Sequence, residues 1–112
     1  MANAERSPIP PGTLEMLILQ TLAGAEELHG FAIAESILAR SDNVLQVEEG
    51  SLYPALQRLL AKGLVVGEWG RTADNRRARY YRLTSAGRRQ RAIEVEEYLR
   101  VADAIARIIQ PA

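Results

Sequence analysis

Residues whose charge could act on a ligand are concentrated in the middle of the chain. Ten arginine and lysine residues fall between Arg58 and Arg91, against two acidic residues, so this segment carries a net charge of +8 although the 112-residue chain as a whole is neutral. Because charges are screened over about 8 Å at physiological ionic strength, the local charge decides what such a surface attracts. The expected chemistry is neutralisation of a polyanion such as the backbone of a nucleic acid. An ordinary solvated surface would also explain an isolated charged run.

Catalysis and metal binding have few candidate groups in this chain. It contains no cysteine and a single histidine, His29, whose acidic neighbours Glu26 and Glu27 make a poor ligand set without a second imidazole. The sequence also lacks a glycine-rich phosphate loop and clustered carboxylates. We therefore expect no catalytic residue, no metal site, no cofactor and no enzymatic activity, and we interpret His29 as a packing or hydrogen-bonding group at the start of a helix.

A helix within residues 48–63 is predicted to position part of the basic surface. Its apolar residues Leu52, Leu56, Leu59 and Leu60 recur at helical spacing, and Gly63 stands where a left-handed C-cap is expected. The opposite face carries small residues and groups that can donate to a polyanion or pack on it: Gly50, Tyr53, Pro54, Gln57, Arg58 and Ala61. Such a helix can read a DNA major groove when a phosphate-binding element follows it. An ordinary amphipathic helix has the same pattern.

A basic hairpin is predicted directly after this helix. Residues 64–69 and 79–83 are rich in β-formers, and the turn segment between them carries Arg71, Arg76 and Arg77. The strands add Arg79 and Arg82. We expect Tyr81 and Leu83 on the inner side of the hairpin, with Tyr80 and Arg82 on the other side.

The remaining segments are predicted to form a scaffold within one domain. Residues 1–11 are proline-rich and are expected to form a flexible arm that is either disordered or loosely docked. Helices are expected from Thr13 to about Gly24 and from Phe31 to about Arg40, with an extended link at 44–47. A composition of 47% hydrophobic and 25% charged residues is typical of a soluble globular protein. No apolar run reaches the roughly 20 residues of a membrane span, and the start lacks a signal-peptide pattern. We therefore expect a cytoplasmic protein that makes no membrane contact.

A last helix is predicted from Ser85 to Gln110, with Thr84 at its N-cap. Its apolar residues step by three and four, which forms a heptad-like seam that a helix of this length must bury. The expected partner is a second copy of the chain, through the dimerisation residues Val95, Tyr98, Leu99, Ala102, Ile105 and Ile109, with Ile108 widening the seam. The alternative is that the helix folds back on its own domain.

Three helices, a basic hairpin and a long helix follow one another in the order of a winged helix-turn-helix domain. The chain also resembles the PadR-like transcriptional regulators in four stretches, of which Gly50-Ser51-Leu52-Tyr53-Pro54 and Tyr80-Tyr81-Arg82-Leu83-Thr84-Ser85-Ala86-Gly87 are the most specific. The other two are 14–19 and 28–33. The expected fold is mostly α with a small β-hairpin, divided into a DNA-binding domain at 12–84 and a dimerisation helix at 85–112. A single C-terminal helix is similar to the short branch of the family.

The resemblance implies a DNA-binding repressor that is a homodimer. Its third helix would lie in the major groove of double-stranded DNA, and its wing along the backbone or in the minor groove. The family's recognition positions fall on Ser51, Tyr53, Pro54, Gln57 and Arg58, and its wing positions on the segment from Arg71 to Arg77, where Arg76 and Arg77 are the strongest candidates. We add Arg79, which the second strand of the hairpin brings to the wing.

The resemblance also raises the question of a small-molecule effector, whose existence and identity it leaves open. Some short family members bind aromatic drugs between subunits by stacking on a tryptophan of the last helix, and others respond to phenolic acids. In this chain the only tryptophan is Trp69, in the predicted wing, and the last helix offers Tyr98. Activation instead of repression remains open, and the competing hypothesis for the whole chain is a protein-interaction module with a winged-helix fold.

Overall fold

The computed structural model describes residues 5–111 and confirms the predicted fold class. Four helices surround a small antiparallel sheet, in the order of a winged helix-turn-helix domain. The elements are β1 (Ser7–Pro8), α1 (Leu14–Ala23), β2 (Leu28–His29), α2 (Gly30–Arg40), β3 (Leu45–Gln46), α3 (Glu49–Ala61), β4 (Val65–Arg71), β5 (Arg77–Leu83) and α4 (Ser85–Ile109).

The wing is the β4–β5 hairpin, with β2 paired to the outer edge of β5. The strand order is β2-β5-β4, and the hairpin pairs Arg71 with Arg77 at its end, which leaves residues 72–76 as the tip. The tip closes through a hydrogen bond of 2.8 Å from the Thr72 amide to the Arg76 carbonyl, with Asn75 in a left-handed conformation at φ 65°. Asparagine tolerates this conformation better than most residues, so the sequence suits the turn.

One hydrophobic core joins the first three helices to the sheet. Buried side chains come from α1 and α2, from the apolar face of α3 and from the inner side of the hairpin: Ile18, Leu19, Leu22, Ile33, Ile37, Leu52, Leu56, Leu59, Val65, Tyr81 and Leu83. The predicted inward positions of Tyr81 and Leu83 are confirmed, since they are 4% and 7% exposed. Because the apolar face of α3 packs on this core, the helix has a fixed orientation and its polar face is exposed to solvent.

The described part of the N-terminal arm is docked, which agrees with the docked alternative for residues 1–11 and not with the disordered one. β1 pairs in parallel with β3, and the Ser7 amide donates a hydrogen bond of 2.7 Å to the Val44 carbonyl. Proline restricts Pro8 to extended backbone angles, and Ile9 packs partly buried against the core. A single apolar residue among prolines carries no periodic signal, so the sequence alone left the choice between a disordered and a docked arm open. Residues 1–4 lie outside the described residues.

The end of α3 and the start of α4 meet at Thr84. Gly63 follows α3 in a left-handed conformation at φ +73°, as predicted. The Leu64 amide donates a hydrogen bond of 3.0 Å back to the Leu59 carbonyl, so the helix ends in a Schellman motif. The Thr84 hydroxyl donates to the Gly63 carbonyl at 2.7 Å and accepts from the Gly87 amide at 3.0 Å, so it caps α4 as predicted. One hydroxyl therefore connects both helix ends.

The first half of α4 packs on its own domain, and its second half extends away from it. Arg91 Nη1 donates 2.9 Å to Gln20 Oε1 on α1, whereas the later turns expose large apolar side chains: Tyr98, Leu99, Val101, Ile105, Ile108 and Ile109. The fold-back alternative thus applies to the early turns of α4. Among residues 5–111, no helix combines the length and apolar character that crossing a membrane needs.

Candidate nucleic-acid interface

The five helix residues predicted to bind DNA all lie exposed on α3. They are Ser51, Tyr53, Pro54, Gln57 and Arg58. The same face of α3 also exposes two small residues, Gly50 and Ala61. A surface of this shape lets the helix backbone approach a groove closely, with Gln57 as a side chain that can both donate to and accept from a base edge.

One flank of α3 faces the wing across a groove of about 850 Å³, which we call the wing groove. Its walls are Tyr53 and Gln57 from α3, the first turn of α2 and the inner side of the hairpin. Phe31 and Trp69 line it with 62% and 60% of their surfaces exposed. Sequence reasoning missed both residues as part of the interface. The exposure of Trp69 follows from its position two residues beyond Gly67, where the strand runs past the core.

Two arginines of β5 point into the wing groove, each supported by an aromatic ring. The Arg77 guanidinium lies 4.2 Å from the Trp69 ring centroid, within cation–π distance. The Arg79 guanidinium lies 5.9 Å from the Tyr81 ring and packs on Gly67, where a Cβ would be 2.7 Å from Arg79 Nε. Stacking on rings fixes a guanidinium plane and leaves its edge available to an anion.

Arg79, which the sequence analysis added to the wing candidates, is less exposed than Arg76 and Arg77. It is partly buried, and its Nε is buried with no hydrogen-bond partner within residues 5–111. A buried donor without a partner is costly, and this Nε lies against Gly67 instead of facing the open wing groove.

The other two predicted arginines lie at the wing tip and at its base. Arg76 in the tip and Arg71 at the end of β4 are both exposed, and Arg71 Nη1 donates a hydrogen bond of 3.2 Å to the Asn75 carbonyl, which helps to close the tip. The Thr72 hydroxyl bonds to Asp74, and this hydrogen bond lowers the pKa of the Asp74 carboxyl below its ordinary value. Asp74 therefore stays ionised and partly offsets the positive charge of the tip.

The flank of α3 away from the wing carries an ion-paired cluster. Glu15 of α1 accepts from Arg58 Nε at 2.6 Å and from Lys62 Nζ at 2.8 Å, one on each carboxylate oxygen. Burial alone would raise the pKa of Glu15, but the hydrogen bonds from Arg58 and Lys62 outweigh it and hold that pKa below its ordinary value. Arg58 is thus exposed as predicted, but it is already paired with a carboxylate.

His29 has the structural position that the sequence suggested. Its Nδ1 accepts a hydrogen bond of 3.3 Å from the Ala32 amide, which caps α2, and its ring meets Tyr80 edge-on with 5.3 Å between centroids. Within residues 5–111, no three histidine or acidic side chains come together in a way that could hold a metal ion.

Sequence comparisons find transcriptional regulators, the type of protein that the sequence analysis predicted. The family model described as "Transcriptional regulator PadR-like family" matches residues 18–93. An uncharacterized protein of Lysinibacillus sphaericus is 32% identical over 100 residues, which cover 89% of this chain and 91% of that protein. A transcriptional regulator of Mycobacterium tuberculosis is 42% identical over 66 residues, covering 59% of this chain and 58% of that protein.

Solved structures agree on the fold. A transcriptional regulator from Clostridium thermocellum superposes with a TM-score of 0.78 at 25% identity, covering 88% of this chain and 95% of that one. A PadR family transcriptional regulator from Eggerthella lenta gives a TM-score of 0.73 at 28% identity, covering 90% and 85% of the two chains. The similarity thus extends through the wing and into α4.

Proposed function

Because the chain belongs to the PadR-like family of transcriptional regulators, which bind DNA and are not enzymes, we propose that it is a homodimeric repressor of transcription. In this proposal α3 lies in the major groove of a pseudo-palindromic operator, and the wing holds the adjacent backbone. Binding at the operator blocks transcription from the neighbouring promoter.

The single observation that carries this proposal is the wing groove beside the exposed face of α3. It combines a helix surface small enough to enter a major groove with two ring-supported arginines, Arg77 and Arg79. Gln57 is assigned to a base edge, and Tyr53 to a phosphate or base at the wall of the wing groove. Arg76 and Arg77 are assigned to phosphates, with Arg79 supplying a further contact inside the wing groove. Ser51 and Pro54 would contact the surface of the DNA major groove.

The proposed dimer is formed by the second half of α4. Its exposed apolar residues follow the heptad-like seam, and an isolated monomer would leave them in water. Two copies of α3 would then enter successive major grooves, about 34 Å apart or a multiple of that distance. Because Thr84 connects α4 to α3, a change in the angle between the two α4 helices would move the recognition helices relative to each other. We propose that a small-molecule effector acts in this way, in the cytoplasm.

The test is binding of the purified protein to the DNA upstream of its own coding region, at two salt concentrations and with random-sequence DNA as competitor. Tight binding that resists the competitor, with two chains per site, supports an autoregulating repressor. Binding that random DNA competes away means that the target lies elsewhere, and capture of bound genomic fragments then identifies it. A chain that binds no DNA at low salt contradicts the proposal and favours the protein-interaction module.

A further inference from the structure

Glu15 pairs with both cations on one flank of the proposed recognition helix. Its carboxylate lies 2.6 Å from Arg58 Nε and 2.8 Å from Lys62 Nζ, so that each oxygen has one partner. Glu15 is 22% exposed at its side chain, whereas the side chains of Arg58 and Lys62 are 54% and 55% exposed. The carboxylate therefore sits beneath two cations whose outer surfaces still face solvent.

This cluster lies on the opposite side of α3 from the wing groove. Tyr53 and Gln57 line the wing groove, whereas Arg58 borders surface grooves formed with α1 and with the N-terminal arm. A duplex with α3 in its major groove has one backbone on each side of the helix. The wing serves one of these backbones, and the Glu15 cluster faces the other.

We propose that Glu15 is a positioning residue that raises the sequence selectivity of DNA binding by withholding Arg58 and Lys62 from arbitrary phosphates. This inference rests on the proposed function, because it assumes that α3 enters the major groove. It reverses the role that the sequence suggested for Arg58, which was a direct phosphate contact.

The physical reason lies in what drives each kind of binding. Affinity for random DNA comes almost entirely from phosphate contacts that release counterions, whereas a specific site adds base contacts. Glu15 bonds only to Arg58 Nε and Lys62 Nζ, so a phosphate can still reach the exposed donors of both cations, but it gains less there because the carboxylate already offsets one of their two positive charges. Glu15 therefore lowers binding to random DNA more than binding to a sequence that Gln57 recognises. Without Glu15, both cations would grip any backbone.

The first experiment compares the wild-type protein with Glu15→Gln on a random-sequence duplex between about 50 and 200 mM salt. Glutamine keeps the size of the side chain and removes its charge. We expect about one more phosphate contact in the salt dependence, which adds about a threefold loss of affinity across this range. Affinity at low salt rises more for random DNA than for a duplex selected from a random pool by the wild-type protein. Equal gains on the two duplexes, or an unchanged salt dependence, would overturn the inference.

Two controls separate this effect from net charge and from misfolding. Glu26→Gln changes the net charge equally at an exposed site in the turn after α1, and we expect it to leave the salt dependence unaltered. Replacing Arg58 and Lys62 with alanine should lower the wild-type salt dependence on random DNA by no more than about one contact, because Glu15 already offsets one of the two charges, and should abolish the effect of Glu15→Gln on the salt dependence. A loss of about two contacts from that double replacement alone contradicts the inference, even in a case where Glu15→Gln does not fold.

Failure of this inference is distinguishable from failure of the proposed function. A wild-type protein that binds DNA while Glu15→Gln behaves like Glu26→Gln overturns only the role of Glu15. A wild-type protein that binds no DNA at low salt overturns both.

Discussion

The phenol ring of Tyr53 lies directly over Gly30. A Cβ on residue 30 would be 2.8 Å from the Tyr53 hydroxyl and 2.9 Å from the nearest ring carbon. The glycine at the start of α2 thus provides the space in which an α3 side chain lies at the wall of the wing groove. This relationship fixes where the Tyr53 hydroxyl can meet a ligand.

Gly30→Ala should impair DNA binding more than folding. The added methyl group meets the far end of a side chain that is 45% exposed, so Tyr53 can rotate away at a small cost in stability. We expect the DNA affinity of Gly30→Ala to fall as it does for Tyr53→Ala, with a melting temperature within a few degrees of the wild type. Tyr53→Phe, which keeps the ring, separates the role of the hydroxyl from that of the ring. Wild-type affinity in Gly30→Ala would mean that the position of Tyr53 does not matter.

Alanine at both Arg76 and Arg77 should weaken binding to every DNA sequence. Both are assigned to phosphates, so the dependence of affinity on salt should fall by about two contacts. Titrations at several salt concentrations measure this. The matched control replaces Arg40 and Arg107, which are exposed outside the wing, and should have a smaller effect. An unchanged salt dependence for the wing variant would remove the wing from the interface.

Gln57→Ala should reduce specific binding and spare nonspecific binding. An amide that reads a base edge contributes about 1–3 kcal/mol of discrimination, whereas its loss removes no charge. Affinities for the selected operator and for random DNA, measured at one salt concentration, give the two numbers needed. Equal losses on both duplexes would show that Gln57 does not read sequence.

Ile105→Glu should dissociate the proposed dimer. A charge in the apolar seam of α4 cannot be buried against a second copy without a partner for it. Sedimentation should then show a monomer, and affinity for a palindromic site should fall about 100-fold or more because the two half-sites are no longer bound by one molecule. Arg107→Glu, on the opposite side of α4, is the control and should remain dimeric. A dimeric Ile105→Glu would place the interface elsewhere.

Gly87→Ala should destabilise the fold, whereas Gly50→Ala should not. A Cβ on residue 87 would be 2.0 Å from the Leu64 carbonyl oxygen, which belongs to the backbone and cannot rotate away. We expect a loss of about 2 kcal/mol or more in the free energy of unfolding. A Cβ on residue 50 would meet no atom within 4 Å, and the residue lies in a helix. Alanine there should therefore raise the free energy of unfolding by up to about 1 kcal/mol. Urea denaturation of both variants tests the pair, and equal effects would contradict the packing at Gly87.

Features that depend on local spacing could be predicted from the sequence. The apolar positions of α3, the left-handed Gly63 and the alternation at Tyr81 and Leu83 each follow from the period of one element. The order of the predicted elements then identified the winged helix-turn-helix fold, and the family resemblance identified the type of protein, both of which the comparisons confirm.

Features that join distant segments could not be predicted in this way. Glu15 and Arg58 are 43 residues apart, and the pairing of Ser7 with Leu45 brings a proline-rich arm to a two-residue strand. Arg79 looked like its neighbours in a basic run, but its burial depends on Gly67 in the opposite strand. In each case the partner is set by the packing of the whole domain, and no periodic pattern marks it.

The hydroxyl of Thr84 has a consequence for how the domain opens. It accepts a hydrogen bond from the Gly87 amide of α4 and donates one to the carbonyl of Gly63 at the end of α3. The Thr84 amide donates a hydrogen bond to the Leu64 carbonyl. The Thr84 side chain thus stabilises the first turn of α4 and the end of the proposed recognition helix together. We therefore expect local unfolding at this junction to be cooperative, with amide protons on either side of it exchanging with solvent in the same opening event.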